Sequence, residues 1–147
     1  MRKEENRYKE LIKEALKARE KSYSPYSGFA VGAALLCKSQ KIYTGCNIES
    51  AAFEPSICAE RVAFFNAVSD GVYDFEAIAI VGGLKKQNIS EYCFPCGVCR
   101  QVMSEFCPGL EFKIIVCKSR DIDVENIKIY TLSELLPHSF GLKNIED

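Results

Sequence analysis

Apolar residues near the amino terminus recur at steps of three and four positions, the spacing that places them on one face of an α-helix. They are Tyr8, Leu11, Ile12, Ala15 and Leu16. This pattern predicts an amphipathic helix over residues 4–23. The turn-forming residues that follow at 24–28 (SPYSG) end the segment.

The rest of the chain alternates between short apolar runs that are typical of strands and longer segments that are typical of helices. Strands are predicted at residues 29–37, 41–46, 75–81, 112–117 and 127–130. Helices are predicted at residues 59–68 and 97–106. Two consecutive strands, followed by strands that alternate with helices, predict an α/β fold in which helices cover both faces of a mixed sheet.

Local signals mark where three of the helices begin. Ser56 is a candidate N-cap for the helix at 59–68, and Pro95 stands near the first turn of the next helix. Thr131 and Glu134 have the spacing of a capping box. They predict a short last helix.

The composition is that of an ordinary globular protein, with 48% apolar and 27% charged residues. No repeat or linker divides the chain, so we expect one domain over residues 1–147. Nineteen Lys and Arg against 20 Asp and Glu give a net charge of −1, which argues against a nucleic-acid polymer or an anionic membrane as partner. The longest apolar run, residues 29–37, is too short to cross a bilayer. The charged amino terminus lacks the apolar centre of a secretory signal, so we expect a cytoplasmic protein.

The eight cysteines carry the candidate chemistry. In a reducing compartment, clustered cysteines bind metal or react more often than they form disulfides. Cys96 and Cys99 are three positions apart in the first turn of a helix, where both thiols can reach one ion. Cys58 begins another helix and can supply a third thiolate, which leaves one position open, as in catalytic zinc sites. Glu60, two residues beyond Cys58, is placed beside that open position.

A ligand followed two residues later by Glu, and further on by Pro-Cys-x-x-Cys, is the signature of zinc deaminases. Over nearly its whole length the chain resembles the small zinc-dependent cytidine deaminases of nucleoside salvage. The matching segments are Pro25–Ser27, Phe29, Val31–Leu36, Gly45–Glu49, Cys58–Arg61, Pro95–Gln101, Glu134–Pro137 and Phe140. The resemblance implies a three-layer αβα sandwich with a mixed five-stranded sheet, one zinc ion per chain, and a homotetramer with active sites shared between chains.

The same resemblance implies hydrolysis of cytidine and deoxycytidine to uridine and deoxyuridine, with release of ammonia. In that reading Cys58, Cys96 and Cys99 hold the zinc, and Glu60 moves protons between water and the pyrimidine. Arg61 matches a residue that donates hydrogen bonds to the ligand sulfurs and reduces their charge.

The resemblance also implies a set of substrate contacts. Asn47 and Glu49 match residues that hold the ribose hydroxyls, and their spacing places both side chains on one side of an extended segment. Phe29 matches an aromatic residue that packs against the base, and the Ala59 amide matches a donor to the base carbonyl. Phe140 matches an aromatic residue that reaches the site of a neighbouring chain.

Three positions depart from the family pattern. Phe53 stands where many members have Tyr, Phe94 replaces a small hydroxyl residue, and Ser50 replaces Asn. We expect these changes to affect how tightly the substrate binds and not which reaction takes place.

Other readings of the same residues stay open. A deaminase of a nucleoside-like antibiotic such as blasticidin S fits the same motif. A non-catalytic zinc module would use Cys93 as a fourth ligand of a closed site. The run Cys93-x-x-Cys96-x-x-Cys99 also resembles the opening of an iron–sulfur motif, but Cys107 follows too late to continue it.

Overall fold

A computed structural model describes residues 2–146 of the chain. The helices are α1 (Arg2–Arg19), α2 (Ala59–Ser69), α3 (Gly97–Phe106) and α4 (Leu132–Leu135). The strands are β1 (Phe29–Cys37), β2 (Ile42–Cys46), β3 (Phe75–Leu84), β4 (Lys113–Cys117) and β5 (Ile127–Thr131). Single 3₁₀ turns lie at Val124–Asn126 and Leu142–Asn144.

The strands form one sheet in the order β2-β1-β3-β4-β5. Only the β3–β4 pair is parallel, and the other three pairs are antiparallel. Helix α1 covers one face of the sheet with Leu11, Ile12 and Ala15, whereas α2 and α3 cover the other face with side chains such as Phe64 and Met103. The predicted α/β fold with a mixed five-stranded sheet is therefore confirmed.

Two predicted element boundaries were wrong by more than two residues, for one physical reason. The first helix ends at Arg19 rather than at residue 23, because Tyr23 forms a parallel bridge with Ile48. Strand β3 continues to Leu84 rather than ending at residue 81, because Phe29 is its register partner on β1. In both places a pairing with a distant segment overrides the local pattern.

The central strand β1 connects the two cores. Its side chains alternate, so that Val31, Ala33 and Leu35 face α2 and α3 while Ala34 and Leu36 face α1. The strand begins at Phe29, which is partly exposed at the edge of the candidate site described below.

No helix within residues 2–146 has the length and apolar character needed to span a bilayer.

The contact between β2 and α2 depends on a glycine. A Cβ atom at Gly45 would lie 2.4 Å from the Ala59 carbonyl oxygen and 2.6 Å from the Ala63 nitrogen. Only a residue without a side chain allows the first turns of α2 to lie this close to the sheet. This contact fixes the position of the helix start that carries Cys58 and Glu60.

Candidate metal centre

Three thiols from two helix starts meet at one point. Cys58 is the N-cap of α2, Cys96 is the N-cap of α3, and Cys99 lies in the first turn of α3. The Cys96 sulfur lies 3.8 Å from that of Cys58 and 3.5 Å from that of Cys99. All three sulfurs lie within 4.8 Å of one another. The three cysteines are therefore positioned to bind a single metal ion.

The spacing of the sulfurs fits zinc. Zinc–sulfur bonds of about 2.3 Å in tetrahedral geometry place neighbouring sulfurs roughly 3.8 Å apart. The observed distances of 3.8 and 3.5 Å lie close to this value. They are much longer than a disulfide bond of about 2.05 Å, and all three cysteines are free. Three soft thiolates are a donor set that suits zinc and leaves one coordination position open.

The N-cap of α2 is Cys58, so the prediction of Ser56 as the cap was wrong. The Ser56 hydroxyl instead accepts a hydrogen bond from the Ser50 amide at 3.0 Å. Cys58 has extended backbone angles and makes no side-chain capping bond, which leaves its thiol available to a metal. The positive ends of the α2 and α3 dipoles stabilise negative charge on the sulfurs at their starts.

One guanidinium group contacts this cluster. The Arg61 Nη2 atom donates to the Cys58 sulfur at 3.4 Å. Hydrogen bonds from Cys99 and Arg61 lower the pKa of the Cys58 thiol and favour its thiolate. Arg100, the other arginine near the ligands, donates to the backbone carbonyls of Pro95 and Leu135, each at 2.7 Å. Arg100 therefore holds the segment before Cys96 against the end of α4 instead of contacting a thiolate.

Glu60 is a buried acid beside the thiols, with only 4% of its surface exposed. Burial, followed by the negative charge of Cys58, raises the pKa of its carboxyl group to about 7. A carboxyl group with a pKa near neutrality can both accept and release a proton in the neutral pH range.

A cavity of about 410 Å³ opens beside Glu60 and the thiols. The predicted site residues that line it are Phe29, Asn47, Glu49, Cys58, Ala59, Glu60, Arg61 and Cys96. Its volume lies within the range of small-molecule sites. Phe94, noted in the sequence only as a departure, also forms part of the wall. The fold thus brings nearly all of the sequence-predicted site together.

Two predicted site residues do not line this cavity: Cys99, which lies beside it in the thiol cluster, and Phe140, which lies elsewhere. The Phe140 side chain is 59% exposed and lines a separate cavity of about 370 Å³ between the carboxyl-terminal segment and α3. Its backbone carbonyl accepts a hydrogen bond from Gln101 at 2.8 Å. Within one chain, Phe140 and Glu60 do not share a cavity.

Glu49 and Asn47 are tied to the backbone around the cavity. One carboxylate oxygen of Glu49 accepts hydrogen bonds from the amides of Tyr26 and Ser27, and contacts with Ser27 lower the pKa of the carboxyl group. The Asn47 side chain accepts from the Val31 amide at 2.8 Å and donates to the Phe29 carbonyl at 2.7 Å. These bonds join the sheet end at Phe29 to the loop that follows β2.

Cys93 lines the cavity but is not part of the metal cluster. Its sulfur packs on β3, where a Cβ atom at Gly82 would lie 2.7 Å from it. Burial raises the pKa of its thiol to about 12, which keeps it protonated. In the chain from residue 2 to residue 146, Cys58, Cys96 and Cys99 form the one group that could hold a metal. The geometry therefore does not supply a fourth thiolate for a closed site.

Comparisons with known proteins agree with this geometry. Residues 5–114 match the model of the cytidine and deoxycytidylate deaminase zinc-binding region. A cytidine deaminase of Sporosarcina psychrophila is 45% identical over 135 residues, which cover 92% of each chain. The crystal structure of a cytidine deaminase from Burkholderia pseudomallei superposes with a TM-score of 0.77 at 38% identity, covering 89% of this chain and 97% of that one. A blasticidin-S deaminase of Bacillus cereus is 30% identical over 110 residues, covering 73% of this chain and 74% of its own.

Proposed function

The chain belongs to the cytidine and deoxycytidylate deaminase zinc-binding family, and from that premise we propose that it hydrolyses cytidine and deoxycytidine to uridine and deoxyuridine. The observation that carries this proposal is the buried carboxyl group of Glu60, which shares one cavity with two zinc-ligating thiols, Cys58 and Cys96, and with two polar residues that suit a sugar. In the reaction, the oxygen of water bonds to C4 of the pyrimidine. The bond from C4 to the amino nitrogen breaks, and ammonia leaves.

Cys58, Cys96 and Cys99 would hold one zinc ion, which when bound would supply the Lewis acidity that lowers the pKa of water towards neutrality. Glu60 takes the proton of the attacking water and delivers it to N3 of the base. It then helps to protonate the departing amino group. Burial raises the pKa of this carboxyl group above the ordinary value for Glu, which suits a group that must accept and donate a proton within one turnover.

The residues around the ligands adjust the charge of the centre. Three thiolates and a divalent zinc ion carry a net charge of −1, which weakens the acidity that the ion provides. The guanidinium of Arg61 and the two helix starts offset part of this charge. We assign Arg61 the role of tuning the centre through Cys58.

The substrate-binding roles follow from the lining of the cavity. Phe29 packs against the base, and the Ala59 amide donates to the base carbonyl. Asn47 and Glu49 bind the sugar hydroxyls. Hydrogen-bonding groups arranged in this way strongly favour a nucleoside over the free base, because without the sugar they are left unpaired.

The assembly and the cellular role belong to the same proposal. We expect a homotetramer of single-domain chains, active in pyrimidine nucleoside salvage in the cytoplasm. Phe140 would complete the cavity of a neighbouring chain, which agrees with its exposure and its distance from the Glu60 cavity in its own chain.

A direct experiment is an absorbance assay of purified, zinc-loaded protein with cytidine, deoxycytidine, cytosine and blasticidin S. We expect turnover of the two nucleosides and little of cytosine. Glu60→Gln should keep its zinc while losing roughly 10²- to 10⁴-fold in kcat, since it removes the proton carrier but no ligand. The matched control is Glu5→Gln, an exposed position on α1, which should behave as the wild type.

Each contrary outcome has a distinct meaning. Turnover of blasticidin S without turnover of cytidine would replace the nucleoside with the antibiotic as substrate. No turnover of any of the four compounds by zinc-loaded protein would favour a non-catalytic zinc module. Loss of zinc in Glu60→Gln would make Glu60 a ligand rather than a proton carrier.

A further inference from the structure

Two buried serines lie behind the Asn47 side chain. Ser22 is 5% exposed and Ser24 is 6% exposed. The Ser22 hydroxyl lies 2.5 Å from Oδ1 of Asn47 and 3.3 Å from the Ser24 hydroxyl. Neither serine lines the cavity that holds Glu60, so neither can contact a ligand there. The Ser22 hydroxyl is therefore placed to hold the Asn47 side chain and not to bind a ligand itself.

The amide oxygen of Asn47 has no proton, so both of its hydrogen bonds must be donated by its neighbours. Ser22 has one hydroxyl proton, and the short contact assigns it to Oδ1 of Asn47. The Ser24 hydroxyl lies 3.3 Å from the same Ser22 oxygen, a longer and weaker contact than the 2.5 Å contact to the amide. The second lone pair of Oδ1 accepts from the Val31 amide at 2.8 Å. Both acceptor positions of the Asn47 side chain are therefore occupied by the protein.

The Asn47 amide is left with only a donor for a ligand. Its nitrogen donates one hydrogen to the Phe29 carbonyl at 2.7 Å, and its second N–H has no partner among the described residues. Glu49 has the opposite character, because its carboxylate can only accept: one oxygen accepts from the amides of Tyr26 and Ser27, and the group has further lone pairs for a ligand. The cavity therefore presents one donor and one acceptor side by side, which suits a hydroxyl group that accepts from one and donates to the other.

We propose that Ser22 is a positioning residue for sugar recognition, and that it acts by holding the Asn47 amide so that only its N–H faces the substrate. This inference rests on the proposed function and names the hydrogen-bonding character of its sugar subsite. Without the Ser22 hydroxyl, a lone pair of Oδ1 becomes free. Asn47 can then accept from the sugar hydroxyl in competition with Glu49, and the match to the nucleoside weakens.

The test compares cytidine with 2′,3′-dideoxycytidine, which lacks both sugar hydroxyls at the ring edge. We expect Ser22→Ala to raise KM for cytidine roughly 3- to 10-fold, the effect of one hydrogen bond, with kcat changed less than about twofold. KM for the dideoxynucleoside should be nearly the same in Ser22→Ala as in the wild type. The ratio of KM for the dideoxynucleoside to KM for cytidine therefore decreases. A general loss of packing would instead impair both substrates alike.

Three further variants provide controls. Ser24→Ala removes a similarly buried hydroxyl that has no contact with Asn47, so its effect on KM should be smaller. Ser22→Thr keeps the hydroxyl and should restore the preference. Ser22→Cys keeps a side chain of similar size with a weaker donor. Its KM for cytidine should lie between those of the wild type and Ser22→Ala, and it provides a test even if the alanine variant does not fold.

The inference is overturned if the ratio of the KM values for the two substrates is the same in folded Ser22→Ala or Ser22→Cys as in an active wild type. The proposed function then stays intact. An equal loss on both substrates has the same meaning. A wild type that deaminates neither nucleoside overturns the proposed function, and the inference falls with it.

Discussion

Arg61 is the one side-chain cation with a hydrogen bond to a ligand sulfur in the described part of the chain. Its charge favours the thiolate of Cys58, and its Nε atom is buried without a partner. Removing a group that contacts a metal ligand typically costs 10- to 100-fold in affinity or activity. We therefore propose that Arg61 affects metal binding through the Cys58 sulfur.

We expect Arg61→Gln to weaken zinc binding roughly 10- to 100-fold, because the pKa of the Cys58 thiol rises when the cation is lost. Competition with a zinc-binding dye would measure this. Arg61→Lys should recover part of the affinity, since it keeps the charge but loses the planar donor group. Arg120→Gln, at an exposed arginine paired with Glu20, is the matched control and should bind zinc as the wild type does. Equal zinc affinity in Arg61→Gln and the wild type would rule out this role.

At the scale of elements, the centre depends on how two helix starts lie against the sheet. Cys58 and Cys96 are both N-caps, so the placement of α2 and α3 sets the distance between their thiols. Helix α2 lies close to β2 at Gly45, where there is no room for a methyl group. A shift of this helix would move Cys58 and Glu60 together.

We expect Gly45→Ala to lower the free energy of unfolding by about 1–3 kcal/mol, because the new Cβ atom overlaps the backbone of α2. Zinc content should fall as well, since the helix carries a ligand. Gly83→Ala is the control, because the nearest atoms to its Cβ lie at 3.8 Å, an ordinary contact distance. Chemical denaturation and metal analysis of both variants would decide the matter. A Gly45→Ala protein with wild-type stability would show that α2 can move away at no cost.

At the scale of the whole molecule, several apolar side chains of the carboxyl-terminal segment remain exposed in one chain. Phe140 is 59% exposed, Leu142 is 57% exposed and Ile145 is 66% exposed. Chain ends that carry such residues need a surface to dock on. The proposed tetramer would supply that surface.

We expect Phe140→Ala to fold and load zinc but to lose roughly tenfold or more in kcat/KM, because a neighbouring cavity loses an aromatic wall. Mixed oligomers of Phe140→Ala and Glu60→Gln chains should regain activity, since an intact Phe140 can then meet an intact Glu60 across the interface. Sedimentation and activity measured on the same mixtures would test this. No recovery in mixtures shown to contain both chains would assign Phe140 to its own chain.

The sequence by itself determined the parts of this protein that depend on neighbouring residues. Apolar patterns and local capping signals together located the α-helices and the strands of the sheet. Strand β1 and helix α3 agree with their predicted bounds because burial and capping are encoded locally there. The capping box of Thr131 and Glu134 is present for the same reason. The residues of the centre could also be predicted from the sequence. Cys96 and Cys99 are three positions apart, and Glu60 stands two positions after Cys58, so each pair lies within one helical turn.

Only the tertiary structure decided what depends on distant contacts. Cys58 and Cys96 are 38 positions apart, and their 3.8 Å separation exists because the sheet places two helix starts side by side. Ser22 gave no signal in the sequence, since its role arises from a hydrogen bond to Asn47, 25 positions away. The cap at Cys58 and the position of Phe140 away from the Glu60 cavity were also set by packing. Short-range periodicity specifies elements and residue chemistry, whereas the meeting of these groups is decided by contacts that form only when the sheet and its helices assemble.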